Sequence, residues 1–170
     1  MTVIKVVQAD ITTLKVDAIV NAANTGLRGG GGVDGAIHQA AGMAELDAAC
    51  AKFHGCPTGE AVITPGFRLP AKYVIHTPGP IWRGGNHNED RLLANSYRHS
   101  LALAVQNDCR TVAFASISTG VYGFPLTRAA QIAIKTIRQF IAQDQRLTEV
   151  IICAFNAPTA RAYQEAIEQN

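Results

Sequence analysis

Short apolar runs rich in valine and isoleucine recur along this chain, and longer stretches with helical spacing lie between them. The runs are Val3 to Gln8, Ala18 to Asn21, Glu60 to Thr64, Tyr73 to Thr77, Thr111 to Ala115 and Glu149 to Phe155. Most are continuous rather than alternating, as expected of strands covered by helices on both faces. Asn88 to Gln106 carries Leu93, Tyr97, Leu101 and Val105 four residues apart. Leu126 to Gln143 carries Ala130, Ile134, Ile137 and Ile141 on one stripe, behind Pro125, a residue suited to a first helical position. Ala157 to Glu168, with Pro158 near its start, is a shorter final helix. This alternation predicts a three-layer α/β/α domain around a mainly parallel sheet. No repeat or linker-like stretch interrupts residues 1–170, which read as one domain. Ligands of such sheets lie beyond the carboxyl ends of strands, so the loops after Asn21 and after Ala115 matter most.

Composition narrows the function classes. At 48% hydrophobic and 16% charged, the chain can build one sizeable core and is not disordered. No apolar run approaches the roughly 20 residues of a membrane span, and the N-terminus has no secretion signal. A net charge of +2 is far from the clustered basic footprint of a nucleic-acid binder. Cys50, Cys56, Cys109 and Cys153 form no C-x-x-C pair, and no histidine cluster has zinc spacing, so no metal is expected. Cys109 and Cys153 sit beside or within strand runs and read as buried, inert thiols. A reducing cytoplasm suits this cysteine usage.

Both loops singled out by topology are unusual. The first runs Asn21-Ala-Ala-Asn24, Thr25-Gly-Leu-Arg28, four glycines from Gly29 to Gly32, then Val33-Asp34-Gly35-Ala-Ile-His38. Consecutive glycines bare the backbone N–H groups and let a ligand approach closely. With a helix starting near Val33, its first free N–H groups make an anion site, so the run reads as a diphosphate cradle rather than a slack surface loop. The second loop, Ser116-Ile-Ser118-Thr119-Gly120-Val121-Tyr122-Gly123-Phe124-Pro125, also leads into a helix. Ser118, Thr119, Gly120 and Val121 are placed to close on the same anion through main-chain N–H groups. Tyr122 is expected to be partly exposed, against a sugar or packed at a turn. Two such loops on adjacent strand ends suit a diphosphate between two ribosides. Neither is a Walker A nor a G-x-G-x-x-G turn, so kinase and dehydrogenase readings fall away.

On the segments VVQADIT, IVNAAN, GGGGVDGAIH, CPTGEAVIT, LPAKYVIHT, GPIW, ISTGVYGFP and CAF, the sequence resembles the macrodomains, specifically the MacroD-type branch with bacterial O-acetyl-ADP-ribose deacetylases. The segments span nearly the whole chain in order. The resemblance implies a mixed sheet between helical layers and a cleft for ADP-ribose. It puts Asp10 and Ile11 at the adenine, Phe155 against the adenine face, and Gly31, Gly32, Val33, Ser118, Gly120 and Val121 around the diphosphate. Asn24, Asp34 and Tyr122 fall around the distal ribose. Ala9 departs from the family's usual glycine before Asp-Ile-Thr, and Asn156 follows Phe155 where acidic residues are common. Read without the family, Asp10 is a cap of a short helical turn and Phe155 ordinary core.

The resemblance further implies ester hydrolysis without a cofactor or metal: deacetylation of O-acetyl-ADP-ribose, or release of mono-ADP-ribose from acidic side chains of proteins. Asp34 is expected to orient the attacking water, with Asn24 holding ribose hydroxyls. A helix N-terminus lowers a carboxyl pKa, so Asp34 fixes a water better than it deprotonates one, leaving a ligand phosphate as proton partner. His38, four residues on, and His76 read as structural, and Trp82 as packing. No nucleophile has an activating base beside it. The rival readings are a non-catalytic ADP-ribose reader and an RNA-associated regulator using the same cleft; the pairing of Asn24 with Asp34 favours the enzyme.

Overall fold

The computed structural model describes residues 1–169. Its elements are β1 (Val3–Gln8), β2 (Ala18–Ala23), α1 (Gly32–Ala41), α2 (Met43–Ala51), β3 (Val62–Pro65), β4 (Tyr73–Pro78), α3 (Glu89–Gln106), β5 (Thr111–Phe114), α4 (Leu126–Gln143), β6 (Glu149–Ala154) and α5 (Ala157–Gln169), with one 3-10 turn over Ile11–Thr13. The six strands form one sheet in the order β1-β6-β5-β2-β4-β3. Every pairing is parallel except that of β3 with β4 at one edge, so the sheet is mixed and mainly parallel.

Each central strand sends alternate side chains to opposite layers. Ala18, Val20, Ile75, Val112 and Phe114 pack with Leu93, Tyr97, Leu101, Ile134, Ile137 and Tyr163, the inner faces of α3, α4 and α5. Ile19, Ala23, Val74, Ala113 and Ile151 pack with Ile37, Ala41, Leu46 and Cys50 of α1 and α2. The result is three layers, as the strand-helix alternation predicts. Periodicity predicts neither α1, which the loop reading supposed only as a helix starting near Val33, nor α2. The second is the less legible. It buries only Leu46 and Cys50, one turn apart, and Gly42 at φ 111° separates it from α1. Among the described residues no helix is long and apolar enough to cross a membrane.

Register sets the functional end. Ala18 of β2 lies opposite Tyr73 of β4 and Val112 of β5, so the carboxyl ends of these three strands stand side by side. Gln8 of β1 lies opposite Ala154 of β6, bringing two further strand ends together at the same edge.

Candidate ligand cleft and its buried support

The loop after β2 is shaped by its own side chains. Asn24 Oδ1 accepts the Arg28 N–H at 3.1 Å while its Nδ2 donates to the Arg28 carbonyl at 2.5 Å, closing a turn over buried Leu27. The Gly30 N–H donates to Asp34 Oδ2 at 3.0 Å. A Cβ on Gly30 would lie 3.5 Å from Asp34 Oδ2 and 3.7 Å from Asn24 Nδ2, so the two predicted reactive side chains converge on this residue. Gly35 is where the loop lies back on its helix: a Cβ there would overlap the Gly30 carbonyl oxygen. Gly31 caps α1 with no side-chain hydrogen bond, which leaves first-turn N–H groups for an anion.

The loop after β5 closes on itself through Gly123 N–H to the Gly120 carbonyl and Phe124 N–H to the Ser118 carbonyl, both at 3.0 Å. Ser118 turns it with φ 67°. Ser116 Oγ is 2.6 Å from Thr119 Oγ1 and 2.7 Å from the Tyr163 hydroxyl, so the Thr119 side chain anchors the loop to the core. Val121 is fully exposed and Tyr122 half-buried.

At the ends of β1 and β6, Asp10 caps the 3-10 turn: its Oδ1 accepts the Thr12 N–H at 3.0 Å and hydroxyl at 2.7 Å, which lowers its pKa. The capping reading of Asp10 therefore holds as geometry. Ile11 is buried with Ile19 and Ile37 in the layer of α1 and α2, so any part it takes in ligand binding falls to its backbone. Phe155 departs from the core reading. It stands 76% exposed, because β6 ends at Ala154 and the next side chain leaves the sheet.

Beneath the glycine run lies a buried polar network. Asp34 Oδ1 accepts Asn21 Nδ2–H at 2.7 Å and lies 3.3 Å from His38 Nε2. Asn21 Nδ2 also lies 3.2 Å from His76 Nδ1, the residue paired with it across β2 and β4. His76 Nε2 is 3.0 Å from Thr64 Oγ1 and 3.7 Å from Cys50 Sγ, and His38 Nδ1 is 2.6 Å from Asp47 Oδ1. Burial alone would push the Asp34 carboxyl up, but His38, Asn21 and the Gly30 N–H together hold it below the usual carboxylate range. Its contact with Asp34, aided by Asp47, raises the His38 pKa against desolvation. Desolvation brings His76 down to about 4, so its ring stays neutral. The ligand atoms of His38, Cys50 and His76 lie within 4.8 Å of one another, a donor set of the soft-metal kind. Both ring nitrogens of each histidine already face protein partners, and burial pushes the Cys50 thiol up to about 11, away from the thiolate a metal takes. The cluster acts here as hydrogen-bonded support. Asn21, Asp47, Cys50 and Thr64 are the members that sequence reasoning did not assign, since only strand register and helix packing bring them into the network.

Glycine-bearing loops and a hydrogen-bonded acid thus stand at the carboxyl ends of parallel strands, where sheets of this α/β class take their ligands. The sequence profile described as Macro domain matches residues 20–133. The chain is 62% identical over 168 residues to a Macro domain-containing protein of Lactiplantibacillus plantarum, covering 98% of this chain and 97% of that one. It is 53% identical over 170 residues to the O-acetyl-ADP-ribose deacetylase of Escherichia coli K12, covering 98% and 96%. Among solved structures, the Oceanobacillus iheyensis macrodomain with ADP superposes with a TM-score of 0.91 at 44% identity, over 96% of this chain and 89% of that one. The Trypanosoma brucei macrodomain in complex with ADP-ribose gives 0.89 at 42% identity, over 96% and 68%. This chain belongs to the Macro domain family.

Proposed function

We propose that residues 1–170 act as one domain that binds ADP-ribose across its two glycine-bearing loops and hydrolyses the ester of O-acetyl-ADP-ribose. Mono-ADP-ribosyl esters on acidic protein side chains are substrates by the same chemistry. The observation that carries the reading is the pair Gly31 and Gly120. Neither has a left-handed φ, and a Cβ on either would meet no atom within 4 Å. Nothing inside the chain calls for glycine at these places, and a ligand resting on the backbone would make the demand. A diphosphate gripped by main-chain N–H groups is such a demand. Asp10, Ile11 and Phe155 then take the adenine; Gly31, Gly32, Val33, Ser118, Thr119, Gly120 and Val121 take the diphosphate; Asn24, Asp34 and Tyr122 take the distal ribose. The relatives named for O-acetyl-ADP-ribose deacetylation, ADP and ADP-ribose support the same assignment.

Asp34 acts by position. Its carboxylate, held by several donors and low in pKa, is a weak base but a firm acceptor for a water or ribose hydroxyl. The water oxygen bonds to the acyl carbon and the bond from that carbon to the ribose oxygen breaks. One water proton passes by way of a ligand phosphate oxygen to the departing ribose oxygen, leaving acetic acid and ADP-ribose. Four unpaired, buried cysteines suit a reducing cytoplasm as the working compartment.

A reader that binds without cleaving draws on one observation: Asp34 also holds the Gly30 N–H and thereby shapes the cradle. Asp34→Asn and Asp34→Ala separate the two. On the hydrolase reading both variants keep ADP-ribose affinity within about fivefold and lose about a hundredfold in acetate release. Full turnover in Asp34→Ala would remove Asp34 from the reaction, and a wild type that binds without releasing acetate would establish the reader.

A further inference from the structure

A third loop, residues 79–88, leaves β4 and packs against the loop after β5. It is buckled to the β5 loop at two points. A Cβ at Gly79 would overlap Ser118 Oγ and come 2.5 Å from Ile117 Cγ2, so this glycine is demanded by close packing. The Trp82 N–H donates to the Tyr122 carbonyl at 2.8 Å, and the indole lies 4.8 Å from the Phe124 ring. Arg128, paired with Asp90, covers the indole at 5.1 Å. The loop has no regular structure of its own, yet one side chain gathers it. Glu89, in the first turn of α3 and 1% exposed, accepts the N–H groups of Arg83 at 2.8 Å and Gly85 at 2.9 Å on Oε2, and of His87 at 2.6 Å on Oε1. A carboxylate with three main-chain donors is an unusually strong clamp, because an ionised acceptor roughly doubles the strength of each bond. Desolvation opposes ionisation, but the three loop donors, with the N–H of Glu89 itself, bring the carboxyl down to about 2.

We propose that Glu89 is a positioning residue for the reaction: by holding residues 83–87 it presets Trp82 against Tyr122, and so fixes the wall beside the scissile ester. The inference rests on the ADP-ribose hydrolase reading, which puts Tyr122 at the distal ribose. On that reading adenine is held at the ends of β1 and β6 and the diphosphate by the two glycine loops; Glu89 touches none of these directly and reaches the β5 loop only through Trp82, whose contacts fall on Tyr122 and Phe124, beyond Gly120 and Val121. Loosening residues 83–87 therefore disturbs the Tyr122 side of the loop, at the distal ribose, more than the diphosphate side, where the Gly79–Ser118 seam lies outside the segment Glu89 holds. Small misplacements of a reacting group lower turnover steeply.

Trp82 is the chain's single tryptophan, so its fluorescence reports this loop alone. The test compares wild type with Glu89→Gln for acrylamide quenching of Trp82, ADP affinity, and kcat and KM on O-acetyl-ADP-ribose. The amide of Gln turns a donor toward one of the three N–H groups. The expected result is stronger quenching, ADP affinity and KM within about threefold of wild type, and kcat down at least tenfold. Should Glu89→Gln fail to fold, Trp82→Ala, which retains the Glu89 clamp but removes the indole from Phe124, is expected to give the same split between kcat and affinity. Full kcat in a Glu89→Gln protein with loosened Trp82 overturns the proposal, as does an equal loss of ADP affinity and turnover. A wild type that turns over neither ester overturns the hydrolase reading and this proposal with it. An active wild type with an unimpaired variant overturns this proposal alone.

Discussion

Gly120→Ala and Gly79→Ala form a matched pair whose outcomes the structure sets in opposite directions. At Gly120 a methyl group enters open space on an unstrained backbone. Removing a glycine's freedom from the unfolded chain at such a site stabilises by about 0.4–1 kcal/mol. On the proposed reading the same methyl stands where a phosphate oxygen approaches, and losing one hydrogen bond to a charged group costs about 1.5–3 kcal/mol. Affinity for ADP should therefore fall by about tenfold to a hundredfold while the melting temperature holds or rises. At Gly79 the methyl overlaps Ser118 Oγ and Ile117 Cγ2 in a packed seam. Overpacking costs about 1–3 kcal/mol, which lowers the melting temperature of a chain this size by roughly 2–12 °C. Thermal melts and calorimetric ADP titrations on both variants decide it. Wild-type ADP affinity in Gly120→Ala, or a loss of stability equal to that of Gly79→Ala, would refute the claim that this glycine exists for a ligand.

Other expectations follow from burial and titration. Phe155→Ala should leave stability within about 0.5 kcal/mol, because the ring is already in solvent, and should weaken ADP binding by about fivefold or more through lost stacking; equilibrium unfolding and titration measure the two. His76 has a pKa of about 4 folded against 6.5 unfolded, so only the unfolded chain gains this proton as pH falls between those values. That residue's contribution, about 3 kcal/mol, is complete above pH 6.5 and lost toward pH 4; urea unfolding at pH 7 and pH 4 should show His76→Gln without this part of the slope. The His38 contribution runs the other way, present below pH 6.5 and lost as pH climbs through its raised folded value, so it does not mimic the effect. The four buried thiols, with Cys50, Cys56 and Cys109 pushed up to about 11, should resist a thiol reagent at neutral pH in the native protein and all react in denaturant.

The strands were legible because a β-branched run covered on both faces needs little context. Their ends were less so. β2 continues past Asn21 to Ala23 because its pairing with β4 continues to Pro78, a fact of the neighbouring strand rather than of the run itself. The long stripes of α3 and α4 announce themselves, whereas α2 turns toward the core only Leu46 and Cys50, too few for periodicity to register. The glycine loops could be read because bare backbone is a local property. The support under Asp34 could not: Asn21, Thr64 and His76 lie on three different strands, and Asp47 reaches His38 only because α2 packs beside α1. Phe155 shows the converse error. Standing at the end of an apolar run, it reads as core on hydrophobicity alone, and only the termination of β6 one residue earlier frees it.

That support also explains what kind of acid Asp34 can be. A carboxyl buried at 7% exposure would, on desolvation alone, rise in pKa and become a useful base near neutrality. Three partners reverse the balance, and the N-terminal end of α1 adds to them. Each of those hydrogen bonds lowers basicity and fixes the oxygens in space. The fold therefore spends a buried Asn, two histidines and a second aspartate on holding one carboxylate still. A site that worked by proton abstraction would be harmed by every one of these contacts. A site that works by setting a water against an acyl carbon, as proposed for Asp34, is improved by each, so the same network that weakens the base suits orientation.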